Sequence, residues 1–278
     1  MPADPIRFFL SRVMDEKNFR ILGIDFFRGS LEDAVTKANG GGLCVAPSGP
    51  GLAGDLTNCS VYSKSLTQAD LVLPDSGLMC LWTKFFSRRP VKRISGLAFL
   101  KAYLLSKEFR SADDRGDNAF WIMPDEEQCE SNIEWLKNES GLSVQDEDFY
   151  VAPRYAKTGP IEDSKLLGDI IARQPKTIFI QLGGGVQERL GLFLRKKLSF
   201  PTTILCTGAA LAFLSGEQVR IPNWADRLYL GWLLRCFSRP TVFVPRYLNA
   251  FRLIGVLAKN GESLPKLNAP QAQGSDGE

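Results

Sequence analysis

The sequence predicts an α/β protein: a Rossmann-like, mostly parallel sheet flanked by helices, with a C-terminal basic helical appendage. Three observations lead there. Short apolar, β-branched runs alternate with stretches of helical periodicity over most of the 278 residues, the pattern of βαβ units whose parallel strands are covered on both faces. The loops that follow these runs are rich in Gly, Ser and Pro, and such sheets place ligands outside the carboxyl ends of their strands. At Gln218 the character changes to basic and aromatic.

The strands are expected at Ile21–Phe26, Leu43–Ala46, Leu71–Leu73, Lys92–Ile94, Ala119–Met123, Phe149–Ala152, Thr177–Leu182 and Thr202–Cys206. Between them lie helical patterns at Leu31–Ala38, Leu97–Leu105, Asp125–Glu139, Lys165–Arg173 and Val186–Lys197. The first opens on Ser30-Leu31-Glu32-Asp33, the spelling of a capping box. The crevice should then be built from Pro47–Gly54, Pro74–Gly77, Ser95–Gly96, Gly183–Gly185 and Thr207–Gly208. Residues 1–217 form the α/β domain in this reading and residues 218–260 the appendage, with seven Lys and Arg against the single acid Asp226. Residues 261–278 read as a disordered tail.

Composition removes several chemistries. There is no histidine, hence no Ser-His-Asp site, no His-ligated zinc and no imidazole base. Acid–base work must fall to a carboxylate, Lys, Tyr, Cys or the substrate itself. The six cysteines are dispersed, with no C-x-x-C pair, which reads as a reduced, cytoplasmic chain. The opening MPADPIRFFLSR has no apolar run of secretory length. Leu198–Gly216 is uncharged for nineteen residues, but its Pro, Gly, Ser and Thr content favours a buried strand, turn and helix over a membrane span.

Four places can carry chemistry. Asp75 closes ADLVLPDSG, just after a buried strand, where a carboxylate can act as a base or simply cap the next helix. SRRPVKRISG packs Arg88, Arg89, Lys92 and Arg93 together; Arg93, heading into Ser95-Gly96, is placed to pair with a diphosphate. IFIQLGGGVQERLG runs from strand through three glycines into a helix start, which can turn amides toward an anion, although it is neither the dinucleotide fingerprint nor a P-loop. Asp146-Glu147-Asp148 spells an Asp-X-Asp, but in a polar loop, where it reads as solvated.

Taken in order, these motifs resemble the WecG/TagA/CpsF family of bacterial glycosyltransferases, glycosyltransferase family 26, from about Gly40 to Leu257. The likeness rests on AD-LVLPD, Arg93-x-x-Gly96, Leu182-Gly183 through Gln187-Glu188, Gly208-Ala209 through Arg220-x-Pro222, and Gly231-Trp232-Leu233-x-Arg235. The resemblance implies a metal-independent, inverting transfer of an N-acetylhexosamine, of which N-acetylmannosamine is one, from a UDP donor to a polyprenyl-diphosphate-linked sugar in surface polysaccharide assembly. Asp75 takes the place of the catalytic base. Ser48, Arg93, Gly183, Gly184, Gln187, Glu188 and Gly208 fall on the donor side. Arg220, Arg235, Arg239 and Arg246 fall where the appendage meets the lipid diphosphate and the membrane. The sequence departs from the family at Ala46-Pro47-Ser48, Asp75-Ser76, Gly185-Val186 and Arg239-Pro240-Thr241-Val242, which marks a divergent member.

The expected partners are therefore a UDP-sugar, a lipid-linked acceptor and an anionic membrane surface, with no cofactor, metal or nucleic acid. The protein is placed in the cytoplasm, peripherally on the inner face of the membrane. Each Lys or Arg near an anionic leaflet contributes about 1 kcal/mol. Two rivals remain at this point: a metal-dependent transferase using Asp146 and Asp148, and a non-catalytic scaffold that binds a nucleotide sugar or lipid diphosphate.

Overall fold

The computed structural model describes residues 18–87, 90–113, 119–216, 233, 236–237 and 240–268. Six parallel strands form one sheet: β3 (Gly42–Val45), β4 (Leu71–Val72), β5 (Ala119–Met123), β6 (Phe149–Val151), β7 (Thr177–Ile180) and β8 (Thr203–Cys206), in the order β4-β3-β8-β7-β5-β6. The inner strands β5 and β7, for example, are nearly continuous apolar runs, AFWIM and TIFI, because both of their faces are covered. Trp121 and Phe179 stack across them with centroids 3.9 Å apart.

The predicted strand at Ile21–Phe26 is instead a separate antiparallel hairpin, β1 (Asn18–Ile21) and β2 (Ile24–Phe27). Its turn is Leu22-Gly23, both at positive φ (52° and 72°), which breaks what the hydropathy presents as one run. The predicted strand at Lys92–Ile94 does not form. Arg93 and the Ile94 amide are engaged by the Pro74–Asp75 turn, so this segment has no ladder to join.

Helices cover both faces. On one lie α2 (Ser60–Thr67), α3 (Gly77–Phe86), α7 (Ser164–Arg173), α8 (Val186–Lys197) and α11 (Arg252–Asn260), packing Tyr62, Met79, Ile170, Leu190 and Leu257 on the sheet. On the other lie α1 (Leu31–Asn39), α4 (Gly96–Leu104), α6 (Glu126–Asn138) and α9 (Ala210–Ser215), with Val35, Phe99, Leu136 and Leu211. Ser30 closes the expected capping box on α1. The hydropathy reading did not single out α2 or α5 (Lys107–Asp113) as helices.

The chain leaves β3 toward the first face and leaves its neighbour β8 toward the second. Adjacent strands whose continuations diverge open a crevice at their carboxyl ends. This is where the fold positions a site.

The uncharged Leu198–Gly216 stretch is β8, a turn and α9, and among the described residues no helix is long and apolar enough to cross a membrane. Of the appendage, α10 (Pro240–Ala250) and α11 are described. Leu253 and Leu257 of α11 are fully buried in the core of the sheet domain. Residues 261–268, assigned by composition to a disordered tail, are instead tied down. The Leu22 and Gly23 amides donate to the carbonyls of Gly261 and Glu262, and the Asn268 amide donates to Thr57 O at 2.8 Å. Residues 269–278 lie outside the described residues.

Candidate functional site

Asp75 lies in the loop between β4 and α3, at the carboxyl edge of the sheet. Its alternative role as the cap of α3 is taken by Ser76, whose Oγ accepts from the Met79 amide. That leaves the Asp75 carboxylate for other partners. Oδ1 accepts from Arg93 Nη2 at 3.2 Å and from the Gly96 amide at 3.3 Å. Arg93 Nε also donates to the Asp75 main-chain oxygen at 2.7 Å. The structure thus brings together the carboxylate and guanidinium that the sequence paired, and both side chains keep access to solvent, 24% and 19% exposed.

The Arg93 segment ends at Ser95, whose Oγ caps α4 through the Ala98 amide. Gly96, first in that helix, has no room for a side chain: a Cβ there would stand 3.2 Å from Thr207 O and 3.5 Å from the Ala46 methyl. The ends of β3, β4 and β8 and the amino end of α4 therefore close on one another around Asp75. Ser48 lies across this edge. Its carbonyl starts the Gly51–Asp55 turn by accepting from Leu52 N, and the neighbouring Gly49 lies against Ser76 Oγ and Ala250 of α10. The appendage thus reaches the mouth of the crevice.

The glycine run behaves differently from expectation. Gly183 and Gly184 are exposed beside the crevice, but the amides that follow are turned inward. Val186 N and Gln187 N both donate to Gly183 O at 3.2 Å, and Gly185 N donates to Glu188 Oε2 at 2.7 Å. The Gly185, Val186 and Gln187 amides at the amino end of α8 are thus satisfied internally. The reason is Glu188, the third helical residue, which folds back as a capping carboxylate. Gln187 and Glu188 are themselves buried, 3% and 1% exposed. Gln187 Oε1 accepts from the Gly208 amide at 2.7 Å, and its Nε2 donates to Glu188 Oε1 at 3.1 Å.

Two residues that the sequence reading passed over complete this frame. Gln181, buried at the end of the β7 run, donates to Thr207 Oγ1 and accepts from the Leu211 amide. A lone amide side chain inside IFIQL was the available signal. Arg189, 1% exposed, donates to the carbonyls of Gly185, Gly159 and Ala156 at 2.6–2.8 Å. It straps the loop after β6 to the glycine run. That loop is held at its other end by Asp163, whose Oδ2 accepts from the hydroxyls of Tyr150 and Tyr155. Burial works to raise the Asp163 carboxyl, but the bonds from Leu166 N and the two hydroxyls outweigh it and hold it below its usual range. Burial and the Asp163 charge push the Tyr150 phenol up to about 12, so it remains a donor.

The Asp146 and Asp148 pair lies at the start of β6, the opposite edge of the parallel sheet from Asp75. Asp148 is buried, paired with Arg173 and capped by Gln145 N; Asp146 is exposed beside Lys137. The pair therefore lies apart from the Asp75 edge. Among the described residues no group of three acids, cysteines or histidines is clustered to hold a metal ion. Of the remaining candidates, Arg88, Arg89, Arg220, Arg235 and Arg239 lie outside the described residues, and Arg246 belongs to α10 with its side chain outside them.

Fold and site define a Rossmann-like α/β enzyme with its polar crevice at the carboxyl edge of the sheet. More particularly, the chain belongs to the glycosyl transferase WecG/TagA/CpsF family, whose profile matches residues 19–264, and it is a glycosyltransferase. Among curated proteins it is 24% identical over 233 residues to an N-acetylglucosaminyldiphosphoundecaprenol N-acetyl-β-D-mannosaminyltransferase of Bacillus spizizenii, covering 81% of this chain and 84% of that protein.

Removing the Arg189 strap should loosen its loop without dissolving the sheet. Hydrogen bonds to a charged group are each worth about 1.5–3 kcal/mol, so Arg189→Met should speed tryptic cleavage after the exposed Arg154 and Lys157 by about tenfold or more. Timed digestion read by mass spectrometry checks this, with cleavage rates no faster than in the parent as the contrary result.

Proposed function

We propose that this protein transfers an N-acetylhexosamine from a UDP donor to a polyprenyl-diphosphate-linked sugar, with inversion and without a metal, at the cytoplasmic face of the membrane, in the assembly of a surface polysaccharide. The lipid-linked acceptor and the amino sugar follow the name of the Bacillus relative. The observation that carries the chemistry is the contact of Asp75 Oδ1 with Arg93 Nη2 at the carboxyl edge.

In this reading the donor diphosphate competes with Asp75 for the Arg93 guanidinium, and its binding releases the carboxylate. Asp75 takes the proton of the acceptor hydroxyl, the acceptor oxygen bonds to the anomeric carbon from the face opposite UDP, and the anomeric carbon–oxygen bond to UDP breaks. The electron pair and negative charge leave with UDP, where Arg93 meets them. Fixed positive charge aimed at a departing diphosphate is worth most in a partly dry crevice, and a histidine-free chain needs nothing else to run the displacement.

Membrane contact is supported by two features near the mouth. The appendage sequence is basic, and the surface where α11 packs on α3 exposes Phe85 and Phe86 of α3, Leu248 of α10, and Phe251 beside α11, each between 58% and 73% exposed. Exposed apolar side chains in a chain with a basic segment suit an interfacial position.

Asp75→Asn should lower turnover by about 100-fold or more while UDP binds no more weakly than to the parent, since the competing carboxylate is gone. Arg93→Ala should weaken UDP binding by about 10–100-fold. Both are read by a screen of UDP-sugars against a polyprenyl-diphosphate-sugar acceptor, with and without excess chelator, plus calorimetry with UDP. Full turnover by Asp75→Asn removes it as the base, and chelator-sensitive turnover overturns metal independence.

Removing the appendage by truncation would also remove Leu253 and Leu257 from the core, so the membrane surface is better tested by Leu248→Glu with Phe251→Glu. The double variant should no longer sediment with anionic phosphatidylglycerol vesicles while its melting temperature is kept. Undiminished sedimentation would show that this surface is not the anchor.

A further inference from the structure

Glu188 is a carboxylate in an unusual place. It is 1% exposed, and among the described residues no cation pairs with it. The adjacent Arg189 spends its guanidinium on the carbonyls of Gly185, Gly159 and Ala156. The other ionisable groups around it worsen the isolation. Asp55, from the turn after β3, lies against Gly185, where a Cβ would stand 2.9 Å from Asp55 Oδ2. Cys206 of β8 shares the same buried space, its thiol donating to Gln187 O at 3.3 Å. A cap alone does not require this burial, since Ser76 and Ser95 cap their helices with hydroxyls and Asp125 caps α6 from an exposed position.

What the burial accomplishes is a connection. One oxygen of Glu188 holds the Gly185 amide, the other holds the Gln187 side-chain amide, and Gln187 Oε1 holds the Gly208 amide. Two loops that approach the crevice from different strands, Gly183–Gly185 after β7 and Thr207–Gly208 after β8, are joined through a single carboxylate. We infer that Glu188 is a positioning residue for the donor nucleotide sugar: ionised, it locks these two loops in register, and protonated, it lets one of them go. The inference rests on the proposed UDP-sugar site.

The logic is in the donors. Both Glu188 oxygens accept from N–H groups, so a proton on either takes up a lone pair, removes the negative charge and weakens the links. Burial, with the nearby Asp55 charge adding to it, outweighs the bonds from Gly185 and Gln187 and pushes the carboxyl from 4.5 up to about 7. The sign for stability is opposite to that for binding. A carboxyl raised in the folded state favours folding at low pH, and that contribution is lost as pH rises from about 4.5 through about 7. Ionised Glu188 therefore weakens the fold while holding the loops.

The experiment is calorimetric UDP binding by the full chain between pH 5.5 and 8.5, with melting temperatures alongside. For the parent, UDP affinity should fall about tenfold as pH drops through about 7. Glu188→Gln has one acceptor where the carboxylate has two, so it should bind UDP about tenfold more weakly at pH 8, with a flattened pH dependence, yet melt no lower than the parent. Asp55→Asn removes the neighbouring charge and should move the parent's binding midpoint to lower pH. The Glu188→Gln curve also carries whatever the nucleotide's own phosphate contributes, so the difference between the curves reports Glu188. An unchanged pH profile in Glu188→Gln, or an unmoved midpoint in Asp55→Asn, overturns the inference. A parent that binds no UDP at any pH overturns the donor assignment itself, a separate outcome.

Discussion

The crevice depends on one oxygen. Asp75 Oδ1 holds the Arg93 guanidinium and the first amide of α4, while Arg93 reaches back to the Asp75 carbonyl. These bonds join a turn after β4 to a segment about twenty residues further on that has no strand or helix of its own. Together with the Val91 and Ile94 amides, bonded to Thr83 Oγ1 and Pro74 O, they fix residues 91–95 so that a cation and an anion share one edge. Ser76 and Ser95 make this possible by capping α3 and α4. Side chains that might have closed a helix locally are thereby left for the crevice.

Behind that edge lies a second, buried layer. Gln181, Gln187, Glu188 and Arg189 are all polar and nearly inaccessible. Each is costly to bury unless its donors and acceptors are met; Gln181 is met by the Thr207 hydroxyl and the Leu211 amide, and the other three by main chain or by one another. Apolar residues could fill the same space, but they could not dictate the position of backbone amides. The floor of the crevice is thus held by hydrogen bonds while the sheet beneath is held by packing, as in the stacked rings of Trp121 and Phe179.

The parallel sheet was legible because its signals are local. Apolar runs such as TIFI, Gly- and Ser-rich turns after them, and the Ser30 capping box each specify structure within a few residues. Asp75 and Arg93 were legible for the same reason, as short motifs at strand ends. What escaped was settled by distant partners. The hairpin turn at Leu22-Gly23 is held by carbonyls of residues 261–262, far along the chain. The Lys92–Ile94 run has strand composition, yet its hydrogen bonds go to a turn. Arg189, which the sequence reading passed over, spends its guanidinium on the carbonyls of Gly159 and Ala156 in a loop far back along the chain. In each case composition was compatible with two structures, and a tertiary hydrogen bond chose between them.

The strand order has a consequence for how the protein is made. β8, the last strand to be synthesised, lies between β3 and β7 near the middle of the sheet. Until residues 203–206 emerge from the ribosome, the nascent chain carries two unjoined half-sheets, β4-β3 and β7-β5-β6, each with an open apolar edge. Unpaired parallel edges of this kind are slow to close and prone to wrong associations. The hairpin at the amino terminus waits longer still, for the strap at residues 261–262. The sheet can therefore close only when residues 203–206 are available to join its two halves.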